Sequence, residues 1–142
     1  MSYAGGCMCG AVRYEARGEV TNLCFCHCVS CRRATGAPMV PWGTFAAPNL
    51  SIVRGRLAEY RSSPKVTRGF CAKCGTSLIY RNDDRSGEID VTLSSLDDAG
   101  GLAPQVHIWV EDKLPWVAIG DDGAQFAQFA HSLVKKTEPG RS

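Results

Sequence analysis

Eight of the 142 residues are cysteines, and they fall into three tight groups. Cys7 and Cys9 form a C-x-C pair, Cys71 and Cys74 form a C-x-x-C pair, and Cys24, Cys26, Cys28 and Cys31 form a denser run between them. Two short-spaced pairs drawn from distant parts of a chain are a usual source of the four tetrahedral ligands that zinc takes, with Zn–S about 2.3 Å. That geometry sets neighbouring sulfurs about 3.8 Å apart. Side chains at i and i+2 of a straight strand share a face but do not converge, so each pair needs a turn. Gly5, Gly6 and Gly10 flank the first pair and Gly69 and Gly75 the second, and glycine allows a backbone to fold that tightly. Cys7, Cys9, Cys71 and Cys74 therefore read as two knuckles closing one structural zinc site.

The middle run reads differently. Cys26, Cys28 and Cys31 surround the start of a short helical segment, and three ligands leave a coordination position open, as in catalytic zinc sites. Cys24 lies among Leu23 and Phe25, where a buried free thiol is ordinary; ligation, closing the second set, is the alternative. The His27 ring would have to fold back to reach the same metal, so His27 reads as exposed or as support for a ligand. Arg32 and Arg33 stand beside the site and could grip a carboxylate bidentately, or face water at the end of the helix. His107 and Trp109, on a late apolar stretch, either line a pocket or are plain core, and Trp42 and Trp116 read as core or pocket wall.

Composition favours metal over disulfide. With 44% hydrophobic and 21% charged residues the chain can bury a real core, unlike the small secreted domains that depend on disulfides. The N-terminal stretch lacks a basic region followed by an apolar run, which argues against a secretory signal. No segment approaches the roughly 18 apolar residues of a membrane span. These features predict a cytoplasmic protein with reduced thiols and no membrane partner. A net charge of +2 and a pI near 8.1 are too mild to imply nucleic acid. Arg54, Arg56, Arg61, Lys65 and Arg68 form a locally basic stretch that reads as a solvated strand face. Residues 1–134 are expected to form one domain, with 135–142 as a flexible tail; the oligomeric state is left open.

The elements that must position these groups are mostly short strands. Residues 11–16 and 88–93 alternate apolar and polar side chains, as half-buried strands do. Further runs at 39–46, 51–53, 57–61, 66–70, 77–81 and 106–110 are separated by turn residues, which argues for an all-β sandwich or open barrel. Helix is expected at 29–34, with Gly36 as its stop, and at 124–134, where Phe126, Phe129, Ala130 and Leu133 recur at helical spacing.

Four segments occur in a telling order: Gly6-Cys7-Met8-Cys9-Gly10-Ala11-Val12, Cys26-His27-Cys28-Val29-Ser30-Cys31-Arg32-Arg33, Phe70-Cys71-Ala72-Lys73-Cys74-Gly75-Thr76, and His107-Ile108-Trp109-Val110-Glu111-Asp112-Lys113 followed by Pro115-Trp116. Together they resemble the glutathione-dependent formaldehyde-activating enzyme family, which also includes centromere protein V. The resemblance implies a mainly β fold of zinc-stapled, stacked antiparallel sheets (a β-tent) with one or two short helices. It implies a structural zinc on Cys7, Cys9, Cys71 and Cys74 and a second zinc, tied to activity, on Cys26, Cys28 and Cys31. The implied reaction is that of a carbon–sulfur lyase of the S-(hydroxymethyl)glutathione synthase type, joining a glutathione-like thiol to formaldehyde or a related small aldehyde. A zinc-stabilised binding module acting through a protein partner is the alternative; it predicts a second site that is absent or closed.

Overall fold

A computed structural model describes residues 1–129; the expected tail at 135–142 and the end of the expected second helix lie outside them. Among the described residues the strands are β1 (Ser2–Gly6), β2 (Arg13–Arg17), β3 (Thr21–Cys26), β4 (Val40–Ala46), β5 (Leu50–Arg54), β6 (Ala58–Ser63), β7 (Val66–Phe70), β8 (Ser77–Asn82), β9 (Glu88–Thr92), β10 (Val106–Ile108) and β11 (Ala124–Gln125). One α-helix, α1 (Val29–Thr35), follows β3. The expectation of a helix from 124 is corrected. Ala124 and Gln125 extend the sheet by pairing with Val106 and His107, and Phe126 and Phe129 pack against the core next to that strand. The spacing of these aromatics matches a helix, but the open edge of β10 offers hydrogen bonds that win the segment for the sheet. No described helix is long and apolar enough to cross a membrane.

Two sheets stack. A three-stranded sheet of order β1-β2-β5 lies on an eight-stranded sheet of order β11-β10-β3-β4-β9-β8-β7-β6. Pairing is antiparallel throughout except at one edge, where β10 runs parallel to both β3 and β11. In β2 the alternation places Tyr14 and Ala16 inward and Glu15 and Arg17 outward. Tyr14 and Ala16 meet Phe45, Leu78, Ile79, Ile89 and Val91 from the large sheet to form the main core.

The large sheet is covered on both faces, which shows in β9, where Ile89, Asp90, Val91 and Thr92 are all buried. Ile89 and Val91 face the main core, while Asp90 and Thr92 face the opposite side. Strand register extends this division: Thr44 pairs with Asp90, Asp90 with Tyr80, and Tyr80 with Arg68. Directly opposed residues share a face, so these four side chains form a row across four strands, on the face away from the main core. Gly43, one step from Thr44, faces inward instead. A Cβ there would lie 2.7 Å from Leu93 Cδ2 and 3.0 Å from Val20 Cγ1, so the packing of Leu93 and Val20 on β4 depends on the missing side chain.

Tyr14 is fully buried and its hydroxyl lies 2.7 Å from that of Ser95. Burial disfavours the phenolate and pushes its pKa up to about 12, against the Ser95 hydrogen bond, which pulls it down. A pKa raised on folding gives stability that is intact below the unfolded value, near 10, and lost as pH rises toward the folded one. In alkaline unfolding the wild-type protein should therefore lose about 2–3 kcal/mol more than Tyr14→Phe between pH 10 and 12. Parallel losses in the two proteins would show that Tyr14 titrates as if exposed.

Candidate functional site

The first cysteine pair sits on the turn between β1 and β2. The Cys7 amide donates to the Val12 carbonyl (3.0 Å), Gly10 N donates to Cys7 O (3.2 Å), and Gly10 takes φ +81°. Val12 N then donates to the Cys7 sulfur at 3.2 Å. The second pair repeats the scheme between β7 and β8: Cys71 N donates to Thr76 O (3.0 Å), Gly75 N to Cys71 O (2.8 Å), and Gly75 takes φ +82°. Lys73 and Cys74 amides point at the Cys71 sulfur, at 3.4 and 3.5 Å.

The two knuckles meet. Sγ atoms of Cys7 and Cys9 are 3.7 Å apart and those of Cys9 and Cys71 3.8 Å, the edge length of a tetrahedral zinc–sulfur site. All four ligand atoms, Cys74 included, lie within 4.8 Å of one another. Thr76 joins the two turns, its hydroxyl accepting from Met8 N at 3.0 Å and lying 3.2 Å from Cys74 Sγ. That hydroxyl, first among the causes, draws the Cys74 pKa down to about 5. Four free cysteines with this spacing fit a tetrahedral divalent metal with no rearrangement.

The second set is equally local in origin. β3 delivers Cys26, and Cys28 caps α1, its sulfur accepting from Cys31 N at 3.3 Å. Gly36, left-handed at φ +69°, ends the helix by donating to Arg32 O. One cap thus turns Cys28 and Cys31 toward Cys26, and the three sulfurs lie within 4.8 Å of one another. Cys26 and Cys31 thiols lower the Cys28 pKa to about 2, while their hydrogen bonding with Cys28 and burial push Cys26 far up. The donor set of this trio fits a metal held on three corners. Cys24 is buried beside it but its sulfur stands outside the set.

These sulfurs border a cavity of about 580 Å³ whose lining includes Cys26, Cys28, Cys31, Trp42, Tyr80 and Trp109. Its volume is in the range of small-molecule sites. Trp109 reaches it from a left-handed backbone (φ +58°) at the end of β10, a conformation costing a non-glycine residue about 1–2 kcal/mol. One wall is the buried polar row. Asn22 Nδ2 donates to Thr44 Oγ1 (3.2 Å), Thr44 donates to Asp90 (2.6 Å), and Arg85 grips Asp90 (3.0 and 3.2 Å) and Glu88 (2.7 Å). Burial works against the Arg85 charge, but Asp90 and Glu88 outweigh it and raise its pKa.

Several residues stand elsewhere than expected. Arg33 is exposed on α1 and Arg32 half-buried; neither is among the described residues that line the cavity. His107 is buried and also off the lining. His27, which could have been exposed, is fully buried: its Nε2 lies 2.9 Å from His107 Nδ1, and His107 Nε2 lies 2.9 Å from Asp121. With Asp121 as acceptor, His107 Nε2 donates and its Nδ1 accepts from His27. That chain ties the turn between Cys26 and Cys28 to β10, a support role for His27. Trp42 is a buried cavity wall, whereas Trp116 is 72% exposed. Within the basic stretch, Arg54, Arg56, Arg61 and Lys65 are exposed as expected, but Arg68 is buried against the second sulfur set. Thr76, Tyr80, Arg85, Asp90 and Asp121 belong to no spacing pattern: Thr76, Asp90 and Asp121 meet partners 14 or more residues away, Tyr80 acts through strand register, and Arg85 is held by its neighbours Glu88 and Asp90.

Comparison with known proteins agrees with this architecture. The chain is 33% identical over 111 residues, 78% of its length and 80% of the relative's, to a protein of Schizosaccharomyces pombe named as an uncharacterised lyase. It is 28% identical over 131 residues, 84% of this chain and 82% of the other, to a Halomonas elongata protein provisionally named a glutathione-dependent formaldehyde-activating enzyme. A crystal structure of a Rhodobacter sphaeroides protein shares the fold, with a TM-score of 0.56 at 24% identity, covering 87% of this chain and 98% of that one. Residues 2–112, which hold both sulfur sets, match the family model for glutathione-dependent formaldehyde-activating enzyme. The chain belongs to the glutathione-dependent formaldehyde-activating enzyme family.

Proposed function

We propose that this protein is a zinc-dependent carbon–sulfur lyase that joins a small thiol, glutathione or one like it, to formaldehyde or a related small aldehyde. The observation that carries this reading is the three-sulfur set of Cys26, Cys28 and Cys31 opening onto the cavity. Family membership and the names of the two relatives support the same chemistry. Zinc on the other four cysteines has a structural part.

A divalent cation held by three sulfurs stabilises a thiol as its thiolate, the form that attacks a carbonyl carbon. Three thiolates already lower the positive charge at the site, which favours a role in presenting the thiol over one in polarising the aldehyde. In the addition, the thiol sulfur forms a bond to the carbonyl carbon, the C=O π pair moves to oxygen, and that oxygen gains the proton the thiol gave up. The chain's own residues set the geometry. The Cys28 cap and the Cys26 strand end hold the set rigid, and Trp42, Tyr80 and Trp109 wall the cavity against water. Arg32 and Arg33, which follow the lining residues Val29, Ser30 and Cys31 on α1, are proposed to meet a carboxylate of the thiol substrate, with Trp109 against its body. His107 supports Cys26 and Cys28 through His27. The binding-module alternative expected a second site that is absent or closed; three sulfurs stand together at the cavity, and Cys24, the candidate to close the set, lies outside it.

Purified protein should carry about two zinc ions per chain. Cys71→Ser should give insoluble or unfolded protein, because structural zinc contributes about 10–16 kcal/mol against a typical domain stability of about 5–15 kcal/mol. Cys28→Ser should instead keep the circular dichroism and one zinc. Thiol addition to formaldehyde is fast unaided, so activity is best read by exchange NMR with ¹³C-formaldehyde and glutathione. Wild type should speed the interconversion and Cys28→Ser should sit at the uncatalysed rate. Equal acceleration by both proteins would remove the reaction from this site.

A further inference from the structure

Resting on the open three-sulfur reading of the second site, we propose that Arg68 is its counter-charge and makes the open position prefer an anionic ligand to a neutral one. Arg68 is only 8% exposed. Its Nη1 and Nη2 each lie 3.8 Å from Cys31 Sγ, and its Nε donates to Ser62 Oγ at 3.2 Å. Strand register sets it opposite Tyr80, and its guanidinium carbon lies 5.2 Å from the centre of that ring.

A buried guanidinium is costly unless an opposite charge meets it. Among its described contacts no carboxylate does so; a cysteine of the sulfur set stands where one would. Arg85, the other arginine on the cavity wall, is already held by Asp90 and Glu88. Three thiolates with a divalent cation carry one net negative charge, and an anionic fourth ligand raises it to two. Arg68 and Cys31 are both buried, and between buried groups a fixed cation a few ångströms away counts for far more than in water. A neutral ligand adds no charge and gains nothing from Arg68. Because Arg68 acts through Cys31 and through charge, it is a positioning residue, and its fork fits a sulfur on two nitrogens where a lysine would offer one.

Cobalt(II)-loaded protein provides the test, with the sulfur-to-cobalt charge-transfer and d–d bands followed during titration with glutathione, azide and imidazole. Arg68→Gln should weaken glutathione and azide at least tenfold and leave imidazole within about twofold. Arg68→Lys should recover part of the anion affinity, and Ser62→Ala, which frees only the Nε anchor, should fall between wild type and Arg68→Gln. If Arg68→Gln fails to load two cobalt ions, Arg68→Lys and Ser62→Ala decide by the same anion-against-imidazole ratio. A wild-type protein that answers azide but not glutathione defeats the lyase reading, while the azide series still decides Arg68. Anion affinity unchanged in the variants, an equal loss for imidazole and anions, or a wild-type spectrum that no probe alters would each overturn the proposal.

Discussion

Sulfur-to-sulfur contact between two tight turns is the constraint on which the structure depends. Cys9 and Cys71 are 62 residues apart yet 3.8 Å between sulfurs. Each turn is built to present its cysteines: a left-handed glycine closes it and backbone amides aim at the sulfur. One turn belongs to the small sheet and the other to the large, so an ion shared between them would fix how the sheets stack. Cys7 and Cys71 are themselves part of the main core, and the cage and the apolar packing support one another.

That arrangement gives the large sheet two occupations. One face is closed by the small sheet and packed with Phe45, Leu78, Ile79 and Val91. On the other face no second sheet is present among the described residues; α1 and the segments after β10 border a cavity over it. Polar side chains are tolerated there because they satisfy one another, Asn22 through Thr44 and Asp90 to Arg85. The second sulfur set stands at the cavity's edge, where β3 ends and α1 begins. A helix cap made by a cysteine unites scaffold and chemistry in a few residues.

Much of this was legible in the sequence because the carriers are local. Cysteine spacing with flanking glycines pointed to both sets, and alternation at 11–16 and 88–93 pointed to the strands that stack. The helix at 29–34 with its stop at Gly36 is present as α1. What was not legible depends on register and burial. Arg68 looked like one more charge in a basic stretch, and only its position opposite Tyr80 turns it inward. His27 read as exposed or as support for a ligand, and only the pairing of β3 with β10 shows its ring joining His107. Phe126 and Phe129 kept helical spacing on a segment that the free edge of β10 recruits as strand. Trp116 read as core or pocket wall, and the structure leaves it in solvent.

The account's central claim is a partition of seven sulfurs into a closed set of four and an open set of three. Zinc K-edge X-ray absorption on the two-zinc protein tests it most directly, since it counts sulfurs per metal. The account predicts an average of about 3.5 sulfurs per zinc at about 2.3 Å, rising to about 4 when a thiol substrate is added. Four sulfurs per zinc before any thiol is present, or a sulfur–sulfur distance near 2.05 Å in place of zinc–sulfur scattering, would contradict it.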